Sequence, residues 1–187
     1  MDEKVKILGF VGSLRKGSFN KALMRAAMEL TPENAEIEVF DIAEIPLFNQ
    51  DFESNPPQCV KDFKAKIKAA DALLIATPEY NYSIPGVLKN AIDSASRPRS
   101  DKVFDGKPVA VMSASVGRFG GARAQYQLRQ SFVFLNLLPI NQPEVMLAQA
   151  DKNIDENGNV TNEETRKLIR QLLEELVKWT KRLQLKA

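Results

Sequence analysis

Short apolar runs alternate with amphipathic, helix-period segments along nearly the whole chain, and few architectures accept that order. Val5–Val11 is the first strand candidate, and residues 36–40 read as the second. Ala72–Ala76 is short and wholly apolar, which suits a strand covered on both faces. Residues 109–114 and 144–147 read as the fourth and fifth strands. Helical patterns fall at about 19–30, 60–70, 85–96 and 122–138. In the first of these Ala22, Leu23, Ala26, Ala27 and Leu30 share one face, and Pro85 suits the opening turn of the third. A fifth helix is announced by Thr161 and Glu164, which have the spacing of a capping box. Its apolar stripe is Leu168, Ile169, Leu172, Leu173, Leu176 and Val177. Strands and helices in this alternation predict an α/β fold, a parallel sheet with helices on both faces. A length of 187 residues is close to the guide of about 150 per domain, so one domain spanning 1–187 is expected.

Composition narrows the chemistry. A net charge of +2, with Lys and Arg scattered among Asp and Glu, does not point to nucleic acid or to a membrane surface. No apolar run reaches the roughly 18 residues that a membrane span requires. Met1-Asp2-Glu3-Lys4 leads straight into the first strand pattern, so no signal peptide and a cytoplasmic location are expected. There is no histidine, which removes Ser-His-Asp machinery, His-ligated zinc and the usual near-neutral general base. The single cysteine, Cys59, has neither a disulfide partner nor a histidine to activate it, and reads as an ordinary thiol. Chemistry in such a chain falls naturally to a bound cofactor.

Ligands of open α/β sheets bind beyond the carboxyl ends of the strands, where strand order reverses, and this directs attention to three loops. The first reads Gly12-Ser13-Leu14-Arg15-Lys16-Gly17-Ser18-Phe19-Asn20 and opens a helix. A helix amino terminus with Ser13, Ser18 and Asn20 as short donors and Arg15 as a cation suits a terminal phosphate, although a capped helix beside a polar loop would look similar. Neither the P-loop pattern nor G-x-G-x-x-G is present. The second loop, Pro78-Glu79-Tyr80-Asn81-Tyr82-Ser83-Ile84-Pro85-Gly86, is a stiff platform against which a planar heterocycle can lie, unless its tyrosines merely pack beneath it. The third, Ser115-Val116-Gly117-Arg118-Phe119-Gly120-Gly121, is glycine-rich with one arginine that can border the same ring or meet a substrate.

The first loop, followed by P-E-Y-N-x-S-[IV]-P-G-x-L-K-N-A-[IL]-D, resembles the NADPH-dependent FMN reductase family and, within it, bacterial quinone and chromate reductases. The similarity continues through Ser115 and Gly120-Gly121-Ala122-Arg123. The resemblance implies a flavodoxin-like three-layer sandwich whose five-stranded parallel sheet has the order 2-1-3-4-5. It implies FMN as cofactor and NADPH or NADH as electron donor. It also implies a homodimer or homotetramer. Carried over by motif, Ser13, Arg15, Ser18, Phe19 and Asn20 would hold the phosphate end. Pro78, Glu79, Tyr80, Asn81 and Tyr82 would hold the isoalloxazine, mostly through backbone atoms, and Ser115 would line the far side.

The expected function is therefore an FMN-dependent oxidoreductase that passes electrons from NAD(P)H to quinones and similar small-molecule acceptors, chromate or azo compounds included, by alternation of the two substrates. No residue is assigned as catalytic or as a metal ligand; Tyr82 and Arg118 are candidates for contacting the second substrate. The alternatives are a flavodoxin-type electron carrier, a flavin reductase, an azoreductase and a flavin-binding sensor. Carriers of that kind tend to be strongly acidic, which this chain is not. Residues 151–162 carry Glu156 and Asn162 where a calcium loop needs Gly and Glu, so Asn157-Gly158 reads as a turn instead. Trp179 is expected under the sheet edge or against a partner subunit.

Overall fold

The computed structural model describes residues 3–185. Its elements are β1 (Val5–Val11), α1 (Phe19–Glu29), β2 (Ala35–Phe40), α2 (Gln58–Ala69), β3 (Ala72–Ala76), α3 (Gly86–Ala95) and β4 (Pro108–Ala114). They continue with α4 (Ala122–Leu135), β5 (Leu138–Pro139), β6 (Val145–Leu147), α5 (Ala150–Asn153) and α6 (Glu163–Gln184). The strands are parallel, in the order β2-β1-β3-β4-β5, so the chain reverses its direction of travel between β1 and β3. This is the flavodoxin-like order.

Alternate residues of the central strands feed two cores. Val5, Ile7 and Val11 of β1, with Leu74, Ala76, Ala110 and Met112, pack under α1 and α6. Leu8 and Phe10, with Leu73, Ile75, Val109 and Val111, pack under α2, α3 and α4. β3 and β4 are buried at every position, as strands covered on both faces must be. A glycine at position 9 lets α1 lie directly on β1, because a Cβ there would come within 2.8 Å of the Met24 sulfur. Trp179 donates its indole N–H to the Leu138 carbonyl (3.1 Å) and so packs at the β5 edge of the sheet.

The fifth strand differs from the sequence expectation. Two short pieces share its place: β5 pairs with the start of β4 through Pro108 and Val109, and β6 pairs with its end through Met112–Ala114. Pro139 and Pro143 lack the N–H that a continuous ladder would use. Leu138, the first residue of β5, had been expected at the end of the preceding helix. That helix stops at Leu135 instead, because Asn136 adopts the left-handed conformation (φ 52°) and its N–H returns to Phe132. Residues 45–57 are irregular apart from one turn of 3-10 helix, Gln50–Phe52. Asn157-Gly158 forms the expected turn, bridged by Ile154 and Val160.

The capping of the last helix is also corrected. Asn162, not Thr161, accepts the N–H of Thr165 through its side chain (2.8 Å), while Thr161 is exposed. Asn162 additionally accepts the Thr165 hydroxyl and donates to Asn153, a partner in space that no local spacing reveals. Replacing Asn162 with Ala should lower stability by about 1 kcal/mol, the usual worth of an amino-terminal cap. Thr161→Ala should stay within about 0.5 kcal/mol of the parent. Urea unfolding of both variants checks the assignment, and the reverse order of effects would restore Thr161 as the cap.

Candidate functional site

The carboxyl ends of β1, β3 and β4 meet at one edge of the sheet. The Gly12 N–H bonds the Ala76 carbonyl (2.8 Å), the Thr77 N–H bonds Met112 (3.0 Å), and the Ser115 N–H bonds Leu147 (3.0 Å). The three loops singled out in the sequence thus leave the sheet side by side. Between them lies a cavity of about 330 Å³, and every predicted site residue lines it except Asn81 and Tyr82. Ala114 and Val116 also line it; sequence reading passed over them because their side chains carry no polar signal. The volume falls within the range of ligand pockets, about 300–1,000 Å³. A groove of about 490 Å³ beside Trp179 is larger, but it lies along α6 and has no helix amino terminus in its lining.

One end of the cavity is built for an anion. Ser13 and Ser18 are buried, and Ser18 caps α1 by accepting the Lys21 N–H at 3.4 Å. The first turn of α1 contains no acidic residue, so its amino-terminal partial positive charge is unopposed. Arg15 is exposed, with its guanidinium over the Phe19 ring at 4.9 Å. Among the described residues it has no carboxylate partner.

Asn20 has a structural partner as well as a place in the cavity lining. Its amide is buried: Nδ2 donates to the Ala114 carbonyl (3.0 Å) and Oδ1 accepts the Ala114 N–H (2.9 Å). Asn20 therefore registers the start of α1 against the end of β4.

The second loop is a tight hairpin. Tyr80 and Ser83 exchange both backbone hydrogen bonds at 3.0 Å, and the two residues between them, Asn81 and Tyr82, have φ of 50° and 67°. Positive φ at both central positions is the type I′ pattern. For a tyrosine it costs about 1–2 kcal/mol. The stiffness read from the sequence is thus a property of the turn. It also carries Asn81 and Tyr82 out to an exposed tip, away from the cavity wall.

Glu79 shows why backbone rather than side chain was expected to face a ligand here. Its carboxylate accepts the Nε–H of Arg123 (2.7 Å) and the backbone N–H groups of Arg123 (3.0 Å) and Ala124 (3.3 Å). The only carboxylate in the cavity wall is thereby balanced by an arginine and by the amino end of α4. Sequence reading missed this function of Arg123; the only signal was its place in the Gly120-Gly121-Ala122-Arg123 stretch. The third loop is held from below, where Ser113 Oγ donates to Gly120 (2.6 Å) and accepts from the buried Gln125 amide (2.8 Å). A Cβ on Gly120 would lie 2.5 Å from the Met146 carbonyl oxygen. Ser115 accepts the Gly117 N–H (3.1 Å) through its hydroxyl oxygen.

The family model for NADPH-dependent FMN reductases matches residues 5–152. The chain belongs to that family. It is 51% identical over 184 residues to an NAD(P)H-dependent FMN reductase of Pseudomonas aeruginosa, with 98% of this chain and 99% of the relative covered. It is 44% identical over 177 residues to a 2-hydroxy-1,4-benzoquinone reductase of a Burkholderia species, covering 95% of this chain and 97% of that protein. Among solved structures, the flavoenzyme NAD(P)H:acceptor oxidoreductase FerB of Paracoccus denitrificans superposes with a TM-score of 0.87 at 34% identity, over 95% of this chain and 98% of that one.

The separation of roles between Asn20 and Arg15 is measurable without any ligand. Asn20→Ala leaves two buried backbone groups without a partner and should destabilise the protein by about 2–4 kcal/mol. Arg15→Ala should leave the melting temperature within a degree or two. Equal melting temperatures for both variants would show that the Asn20 link contributes nothing to the fold.

Proposed function

We propose that the cavity binds FMN, and that the protein uses it to take electrons from NAD(P)H and deliver them to quinones and similar acceptors. The observation that carries this reading is the donor set at the start of α1: two buried serine hydroxyls, an unopposed helix amino terminus and one unpaired arginine. These groups match a single phosphate monoester and fit no longer polyphosphate motif. Pro78, Glu79 and Tyr80 form a second wall, and Ser115 with Val116 forms a third, so a planar ring attached to that phosphate has surfaces to lie against. Near-complete alignment with an FMN reductase and a benzoquinone reductase supports the same reading.

FMN, when bound, supplies the capacity to accept a hydride from a nicotinamide and to pass electrons onward. The chain's residues bind, orient and shield. Ser13 and Ser18 would hold the phosphate through hydroxyl hydrogen bonds, and Arg15 would add a charge-assisted contact. Phe19, under the Arg15 guanidinium, keeps that cation close to the helix start. Asn20 holds the helix start in register with β4. No side chain has to act as acid or base in hydride transfer, which agrees with a chain that has no histidine. Tyr82 and Arg118, exposed at the tips of two flanking loops, meet the second substrate.

A homodimer or homotetramer belongs to this reading. The exposed apolar side chains Leu47 and Phe52, which line one groove, support it, since exposed apolar surface marks interaction sites. Among the described residues no helix is long and apolar enough to cross a membrane. A cytoplasmic location completes the reading, supported by a lone cysteine and by dependence on a nicotinamide donor.

The protein should purify yellow and release FMN, not FAD, on acid treatment. Arg15→Ala should weaken FMN binding by about 1.5–3 kcal/mol, roughly tenfold to a hundredfold in Kd. Steady-state rates with NADPH or NADH and a small quinone should give parallel double-reciprocal lines, because one cavity leaves little room for both substrates together. If neither nicotinamide bleaches the flavin under anaerobic conditions, the protein is an electron carrier instead.

Cys59 is half-buried, and its thiol rests against the Glu44 carbonyl at 3.3 Å. Cys59→Ser should keep both its flavin and its rate of NAD(P)H oxidation. A large loss of turnover with flavin retained would reveal thiol chemistry.

A further inference from the structure

We propose that Arg123 is a positioning residue: anchored by Glu79, it stacks the hairpin tip at Tyr82 against Phe119 and so sets which acceptors reach the cavity. Arg123 is the first-turn residue of α4 at which both flanking loops converge. Its Nε–H is fixed by Glu79 at 2.7 Å, on the loop after β3. Its guanidinium then lies 3.7 Å from the centroid of the Tyr82 ring and 4.9 Å from that of Phe119, on the loop after β4. Both rings are more than half exposed, at 67% and 56%. Little burial holds them, and the shared cation is the contact that relates one to the other.

The surroundings leave this stack as the adjustable part. The Glu79 carboxylate is 9% exposed and takes three N–H donors, so the anchor itself is rigid. Gly120 is tied to buried Ser113, so the base of the second loop is rigid too. Tyr82 stands on a left-handed backbone (φ 67°), which turns its side chain away from the course of an ordinary strand. Between two firm bases, the spacing of Tyr82 and Phe119 follows from the one guanidinium that both rings approach. A planar cation bonded at Nε and in contact with two rings is a demand that lysine cannot meet. The position therefore discriminates by acceptor size and leaves flavin retention to the first loop. This inference rests on the quinone-reductase reading above.

Arg123→Ala and Arg123→Lys separate the outcomes. In flavin-free protein, hydrogen exchange should quicken in residues 79–83 and 115–121 together in both variants, and stay unchanged in α1. With FMN bound, each variant should keep its flavin and its KM for the nicotinamide within about twofold. The ratio of KM values for a two-ring and a one-ring quinone should shift at least tenfold, with kcat moving far less, and lysine should not restore it. An unchanged ratio in a protein that reduces both quinones overturns the role of Arg123 alone. Loss of flavin, or an equal loss with both quinones and the nicotinamide, also overturns it, because the residue is then only structural. Wild-type protein that binds FMN but reduces neither quinone overturns the reading beneath it as well.

Discussion

Both backbone groups of Ala114, the last residue of β4, are held by one buried amide, that of Asn20 in the first turn of α1. This link joins positions 94 residues apart in sequence and makes the site a single object. Without it the start of α1 would be located by apolar packing on the sheet and on α6, which is not directional. With it, the hydroxyls of Ser13 and Ser18 stand at a set distance from the loop that begins at Ser115. Leaving such groups buried and unpaired costs about 1–3 kcal/mol each, so the link is enforced by the penalty for its absence more than by its own strength.

A second tie works across the remaining gap. Glu79 comes from the loop after β3, yet its carboxylate is consumed at the amino end of α4. An unpaired carboxylate in the cavity wall would oppose a phosphate-bearing ligand. Paired with Arg123 and set against a helix dipole, it becomes a structural brace. The three loops are therefore coupled pairwise, the first to the third by Asn20 and the second to the third by Glu79. Orientation of a bound planar group requires just this, since no single loop surrounds it.

Much of the fold was legible because burial leaves a mark on composition. β3 is apolar at every position and β4 at all but Ser113 because both faces are covered, and α6 shows its stripe because only one face is. The elements misjudged are those decided by a single residue's backbone or by a distant partner. Asn136 turned left-handed and ended the helix before Leu138, which pairs in β5 instead. Asn162 displaced Thr161 as a cap because it also bonds Asn153, a contact made only once α5 is in place. Asn81 and Tyr82 were named through the family motif, and a type I′ turn carries them out to an exposed tip beyond the cavity lining.

The sequence by itself determined the α/β class, the alternation of elements, the three loops that matter and the residue types available in them. Those follow from hydrophobic periodicity and from short motifs, which are local properties. Tertiary structure alone decided what each polar side chain does. Arg15 has no carboxylate partner among the described residues, whereas Asn20 and Glu79, which line the same cavity, are also bonded to the backbone of β4 and of α4. A buried donor or acceptor must find a partner wherever the fold puts one, and the identity of that partner is set by packing over long sequence distances, which no local pattern records.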